Sequence, residues 1–365
     1  MKTLWVGTRK GLFVIQPAGG GWQIGKPHFA GDPVSQVLMD PHDGAWYAAL
    51  NLGHFGVKLR KSTDAGASWQ ELPTPAFGPK PTEGPWKDDP TPWAVDLVWG
   101  LESAPEPGGA SRLWAGCLPA GLFTSTDGGA IWQLVDSLWQ RPERKEWMGG
   151  GYDHAGIHTV LVDPRDARHL TVAISCGGVW QSRDRGATWA NTSTGMTADF
   201  MPPERAGDPN IQDPHRIDHC LAQPDVLWLQ HHCGLYRSTN GGLRWDRIER
   251  PAPSDFGFCV VAHPRDPLRA WVVPAQADAC RMPVDGRMVV NETRDGGASW
   301  VAHGAGLPTS DAYHLVYRHA LVVGDDGQTL AMGSTTGGLW VSRDAGERWE
   351  CVSRDLPPIA VLRMA

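Results

Sequence analysis

Six octapeptides recur along the chain: STDAGASW ending at Trp69, STDGGAIW at Trp132, SRDRGATW at Trp189, STNGGLRW at Trp245, TRDGGASW at Trp300 and SRDAGERW at Trp349. They share the pattern Ser/Thr-x-Asp/Asn-x-Gly-x-x-Trp. A degenerate seventh copy, IQPAGGGW, ends at Trp22 and carries Pro17 where the Asp belongs. Successive tryptophans lie 47, 63, 57, 56, 55 and 49 residues apart. Recurrence at this period is the mark of a repeat architecture, in which each unit buries its apolar face against its neighbours.

The flanks repeat too. LWVGTRKGLF (4–13), LWAGCLPAGLF (113–123), LTVAISCGGVW (170–180), LWLQHHCGLY (227–236) and LAMGSTTGGLW (330–340) each read as strand, loop and short strand. A further strand ends near a proline in VSQVLMDP (34–41), IHTVLVDP (157–164), IDHCLAQP (217–224) and FGFCVVAHP (256–264). Alternating apolar residues bounded by turn clusters predict strands, and no segment carries a convincing helical period. Within the octapeptide, the Asp carboxylate can accept from backbone N–H groups of its own turn. The Gly permits positive φ, and the Trp covers the hairpin. The box reads as a turn staple without chemistry of its own.

These boxes resemble the Asp-box repeats of bacterial neuraminidases, and the resemblance runs over essentially the whole chain. It implies an all-β, seven-bladed β-propeller of the sialidase-like superfamily, a single domain over 1–365, with four-stranded blades around a central channel. Six blades is the alternative if the first unit is not a blade. The chain starts at the second strand of a blade, and the C-terminal IAVLRMA reads as the missing first strand, so one blade closes from both ends. The resemblance also implies that the boxes lie on one face and that the loops between the second and third strands, and between blades, build the other.

The net charge is −7, which argues against nucleic acid or an anionic membrane as partner. Hydrophobic residues at 41% and charged residues at 20% exclude a disordered chain. No run of 18 apolar residues occurs, and MKTLWVGTRKGLFVI lacks an apolar signal region, so a cytoplasmic protein is expected. Seven cysteines without a CxxC pair read as reduced thiols. Cys117, Cys176 and Cys233 fall on loops of the non-box face, where small buried cysteines are the commoner case.

Counting back from the prolines places Ser35, His158, Asp218 and Phe258 at one level of the first strands, and a looser alignment adds Asp96 and His314. A catalytic set of His158, Asp218, His314 and Asp96 follows, with a His as general base and Asp218 or Asp96 orienting it. The alternative is polar lining of a water-filled tunnel. Histidines cluster in YDHAGIH (His154, His158), DPHRIDH (His215, His219) and LQHHC (His231, His232), with Asp153, Asp213 and Asp218 close in sequence. Imidazoles in this number suit a divalent zinc, iron or manganese ion, although the spacing matches no metal signature. No nucleotide cofactor is implied. Long loops carry Trp86, Trp93, Trp139 and Trp147, an aromatic substrate wall. Arg9, Arg216 and Arg281 are the arginines placed to bind substrate.

A true sialidase would carry an Arg triad, a Tyr–Glu pair and an Arg-Ile-Pro motif. No Arg-Ile-Pro occurs here, Arg9 is the sole early candidate, and there are five tyrosines in all, with no clear Tyr–Glu pair. The expectation is therefore a hydrolase or lyase acting on a small aromatic or carbohydrate-like substrate by His/Asp chemistry, with the metal optional; virginiamycin-type lyases are an analogy. The alternative is a non-catalytic binding or assembly scaffold, like photosystem-assembly factors with similar boxes.

Overall fold

In the computed structural model, which describes residues 3–249 and 251–365, each of the six boxes folds into the same hydrogen-bonded turn. In the copy at residues 182–189, Ser182 Oγ donates to Asp184 Oδ1 at 2.8 Å and accepts from the Gly186 N–H at 2.7 Å. Asp184 Oδ1 also accepts from the Thr188 N–H at 2.8 Å, and Oδ2 from the Thr188 hydroxyl at 2.6 Å. The copies at Ser62 and Thr293 repeat all four bonds. In the Ser238 copy the Ser238 hydroxyl accepts from the Gly242 N–H, and the Asn240 amide oxygen accepts from the Arg244 N–H.

The turn bends through two consecutive left-handed residues. Gly186 has φ 84°, and Arg185 before it has φ 59°. The preceding position is left-handed in every copy: Ala65, Gly128, Arg185, Gly241, Gly296 and Ala345. Side-chain acceptors make this affordable for a residue with a Cβ, because they satisfy the N–H groups that the tight turn removes from the ladder.

Between these turns run seven antiparallel four-stranded sheets. The chain is a seven-bladed β-propeller; among the described residues a single-turn α-helix occurs at Asp136–Trp139. The strands divide into two compact units.

The first unit comprises the residues up to Val34, Ser193–Asp208 and Pro214–Ala365. It holds four sheets. One orders its strands as Ile359–Met364, Leu4–Thr8, Gly11–Ala18 and Gly21–Ile24. The C-terminal strand therefore pairs with the N-terminal one, Leu4 opposite Met364 and Val6 opposite Leu362, as the sequence implied. Gly7 is required there: a Cβ on it would sit 2.4 Å from Val361 Cγ1. The others are Pro214–His219 to Asp246–Arg247, Gly257–Ala262 to Val301–His303, and Leu321–Val323 to Glu350–Ser353. Leu4, Val6, Trp271, Trp340 and Trp349 anchor its main core.

The second unit, Ser35–Thr192 with Pro209–Asp213, holds three sheets. They run from Val34–Met39 to Gln70–Leu72, from Leu97–Pro105 to Gln133–Leu134, and from Ile157–Asp163 to Ala190–Asn191. Of this unit's box tryptophans, Trp189 is buried, with Nε1–H donating to the Gly186 carbonyl at 3.1 Å, and Trp69 and Trp132 are half-buried.

First strands of both units carry β-bulges. The register slips around Trp99, His158, His215 and the Phe258–Cys259 pair, leaving one extra residue in each strand. A bulge re-aims the side chain it carries. This register corrects the alignment on the prolines. His158 lies one residue past Ile157, which faces Ile174; His215 lies one past Pro214, which faces His231. The counterpart of His158 is thus His215, three residues before Asp218, and in the strand after Asp96 it is Trp99. The cause is turn length: the return strand starts at Asp166 in one sheet, close behind Asp163, but at Leu227 in the other, well beyond His219. Counting back from the proline absorbs the longer turn into the strand.

Two outcomes test the box. Trp189→Ala should destabilise the protein by about 3–5 kcal/mol in denaturant titration, the cost of deleting a buried aromatic. The carboxyls of Asp64, Asp184 and Asp295 are pulled down to about 2, chiefly by the hydroxyls of Ser68, Thr188 and Ser299. A lowered folded-state value gives stability that is complete above the unfolded range near ~4 and is lost as pH falls toward 2. Melting temperature should fall across that window, and less steeply in Asp184→Asn.

Candidate functional site

In the first unit the two bulged strands bring their extra side chains face to face. His215 stacks on Phe258 with centroids 4.6 Å apart and planes 9° from parallel. His215 Nδ1 lies 2.6 Å from the Gly257 carbonyl oxygen. A carbonyl only accepts, so Nδ1 carries the hydrogen, and in the neutral ring Nε2 is the basic atom.

Other rings extend this pair. His232 meets His215 edge-on at 5.4 Å, Phe256 at 5.6 Å and Phe200 at 5.2 Å. Phe256 packs edge-on against Phe258 at 5.4 Å, and Tyr317 against the same ring at 5.2 Å. The result is a continuous ladder from Phe200 through His232, Phe256, His215 and Phe258 to Tyr317. Its centre is buried and its ends are open: His215 is 1% exposed, Phe200 43% and Tyr317 36%. The guanidinium carbons of Arg281 and Arg318 each lie 5.4 Å from the Phe258 centroid, within cation–π range. Exposed Arg281 is also held by Asp278, Nε donating to Oδ1 at 3.0 Å.

Several of the remaining candidates of this unit have structural partners. The Asp218 carboxylate accepts from the N–H of His219 at 3.0 Å and of Ala262 at 2.9 Å, tying its strand to the next. These bonds make it a clamp between the two strands. His231 is fully buried, its Nδ1 accepts from the Cys233 N–H at 3.0 Å, and its ring packs on Tyr236. That lone pair is committed to the turn rather than to a metal. Arg216, half-buried, donates to His319 Nδ1 at 2.6 Å. His219 is half-buried at the end of the same strand, and Arg9 is exposed in the Thr8–Gly11 turn. His314 is half-buried in a different loop, its Nδ1 against the Thr336 hydroxyl. Burial, and then the charge of Arg354, hold its pKa below the ordinary histidine value.

In the second unit the tryptophans serve packing. The Arg144 guanidinium is sandwiched between Trp86 at 4.0 Å and Trp139 at 3.8 Å. It pairs with Asp89 at 2.8 Å, and its Nε donates to the Trp139 carbonyl at 2.7 Å. Trp86 and Trp139 are buried, so neither belongs to a substrate wall; their faces hold a cation that the sequence reading passed over. Trp93, half-buried, packs edge-on against Trp139 at 5.5 Å, and Trp147 against Trp180 at 5.8 Å. His158 is fully buried, with Nδ1 2.9 Å from Thr159 Oγ1 and its ring edge-on to Trp99. Trp99 in turn meets exposed Tyr152 at 5.1 Å. Asp96 is exposed just before its strand, and His154 is half-buried in the preceding loop.

Phe200, Phe256, Tyr317, Arg318, Trp99 and Arg144 were not singled out from sequence. Phe256 and Phe258 flank a glycine in DFGFC, which was the available signal; the bulges that align the rest leave no mark in composition. Among the described residues no helix is long and apolar enough to cross a membrane.

No family model matches the chain. Among curated proteins it is 27% identical over 154 residues to a xyloglucanase of Hypocrea jecorina, covering 36% of this chain and 18% of that protein. It is 25% identical over 234 residues to xyloglucanase Xgh74A of Acetivibrio thermocellus, covering 58% and 25%. The chain thus spans a quarter or less of the length of these relatives. Among solved structures, the GH74 xyloglucanase from Xanthomonas campestris superposes with a TM-score of 0.63 at 17% identity, over 96% of this chain and 52% of that one. YCF48 from Cyanidioschyzon merolae gives 0.57 at 14%, over 93% and 90%. YCF48 bound to D1 peptide gives 0.52 at 12%, over 87% and 80%. At these identities the superpositions establish the fold.

Arg144→Ala should destabilise the protein by about 3–5 kcal/mol, because it leaves the Asp89 charge buried without its partner. Urea titration of the variant, beside Asp89→Asn/Arg144→Met, checks this: the double change should recover part of the loss.

Proposed function

We propose that the protein is a hydrolase acting on a carbohydrate-like substrate that lies along the ring ladder of the first unit. The observation that carries this reading is the His215 imidazole, stacked on Phe258 and fixed through Nδ1 on the Gly257 carbonyl. Aromatic faces bind the C–H-rich faces of sugar rings, and an imidazole with a defined tautomer transfers protons near neutral pH. The partial identity to two xyloglucanases supports the substrate class.

In this reading His215 and half-buried His232 carry the proton chemistry that the sequence suggested for His158 or His314, oriented by Asp218 or Asp96. Arg281 and Tyr317 border the substrate. The same two imidazoles are the pair that would hold a divalent zinc, iron or manganese ion; the bond from Nδ1–H to a carbonyl is the usual outer support of a ligating histidine. Such an ion would polarise the scissile bond or acidify a water.

A second reading is a docking platform, favoured by the exposed rings of Phe200 and Tyr317 at the ends of the ladder. The YCF48 structure bound to D1 peptide supports it at the level of fold.

Reducing-end release from xyloglucan oligosaccharides and other glucans, with and without added zinc, iron or manganese, separates the two. The hydrolase reading expects turnover that falls 10²–10⁴-fold in His215→Ala, as for loss of a general acid–base group. A bound ion expects near-stoichiometric metal by elemental analysis, lost in His215→Ala and His232→Ala. No release from any glycan, with peptide binding that depends on Phe200 and Tyr317, would leave the platform.

A further inference from the structure

We propose that Thr336 and His314 form a hydroxyl–imidazole pair that hydrolyses carboxylic esters through an acyl-Thr336 intermediate. The pair uses other residues than the ring ladder, and the proposal goes beyond the carbohydrate reading.

Thr336 lies in the loop STTGG between the strands Leu330–Gly333 and Leu339–Ser342. This loop is held on every side by its backbone. The Ser334 N–H donates to the Gly338 carbonyl, the Gly337 N–H to the Ser334 carbonyl, the Thr335 N–H to the Leu315 carbonyl and the Ile359 N–H to the Ser334 carbonyl. Gly337 sits at φ 89°, where a Cβ would lie 1.7 Å from the Leu356 carbonyl oxygen. The loop therefore has one shape, and in it Thr336 is exposed while its hydroxyl is hydrogen-bonded to His314 Nδ1.

His314 is a suitable acceptor. Its ring is half-buried, edge-on to Trp340 at 5.0 Å, and burial, then the Arg354 charge, lower its pKa and so favour the neutral ring. A neutral imidazole beside a hydroxyl is the arrangement that activates an alcohol as a nucleophile. Ser334 is not the nucleophile: it is fully buried, and its Oγ accepts from the Gly338 N–H at 2.9 Å. It stands 3.1 Å from Thr336 Oγ1 and 3.4 Å from His314 Nδ1, steadying both.

In the reaction Thr336 Oγ1 adds to the ester carbonyl carbon while its proton passes to His314 Nδ1. The bond from that carbon to the alcohol oxygen breaks, and the departing oxygen takes the proton from His314. Water then adds to the acyl carbon, giving a proton to Nδ1. The carbon–Oγ1 bond breaks, Thr336 regains its hydrogen, and the carboxylic acid leaves.

The test is release of p-nitrophenol from p-nitrophenyl acetate by the full chain, with intact-mass and peptide-mass analysis of quenched samples. Turnover should fall 10²–10⁴-fold in Thr336→Val and in His314→Gln, and persist in Thr336→Ser. One acetyl group should appear on Thr336, and should accumulate in deacylation-impaired conditions at low pH. Equal turnover in Thr336→Val and the unaltered protein, or acetylation confined to other residues, overturns the proposal. Melting curves of the three variants guard against unfolding; Thr336→Val is nearly isosteric, so its melting point should stay close to that of the unaltered protein.

Discussion

A short hydroxyl–carboxylate turn underlies the architecture. Each box has to bend a strand through two left-handed residues without leaving N–H groups unpaired, and Ser or Thr with Asp or Asn supplies the acceptors. Once the bend is satisfied from within, the Trp that follows is free to pack against its sheet and neighbouring core. Arg185, Ala65 and Ala345 tolerate a backbone shape usually left to glycine because the acceptors of the box fix it. The staple does nothing chemical; it lets the opposite ends of the strands vary.

Variation at those ends takes the form of bulges. An extra residue in a first strand turns one side chain out of the alternating pattern, and these positions carry Trp99, His158, His215 and Phe258. In the first unit two bulged strands sit side by side, so an imidazole and a phenyl ring stack, and the rings around them extend the contact into a ladder. In the second unit the comparable residues, Trp99 and His158, meet edge-on. One backbone irregularity thus produces two different surfaces, according to the residues placed on it.

The repeat, the number of sheets and the closing of the first sheet by the C-terminal strand were legible in the sequence, because each rests on local patterning. The site was less so. Asp218 was matched to His158 because both stand at the same distance from a proline, but the longer turn between His219 and Leu227 shifts the register and makes His215 the counterpart. Trp86 and Trp139 looked like binding surface because they lie in long loops. Their rings instead enclose Arg144, a contact between residues more than fifty positions apart for Trp86, which no local signal announces. His314 was legible in the sequence, but as a general base oriented by Asp218 or Asp96; its hydroxyl neighbour lies in another loop.

The Arg144 sandwich has an evolutionary corollary. Asp89 and Trp86 belong to one loop, Arg144 and Trp139 to another, and the planar guanidinium fills the space between two indoles while answering a carboxylate. Lysine has neither the flat shape nor the paired donors to replace it. The two loops are therefore bound to drift as a couple: shortening either one strands a charge in the other, so viable descendants should keep both halves of the clasp or discard both together.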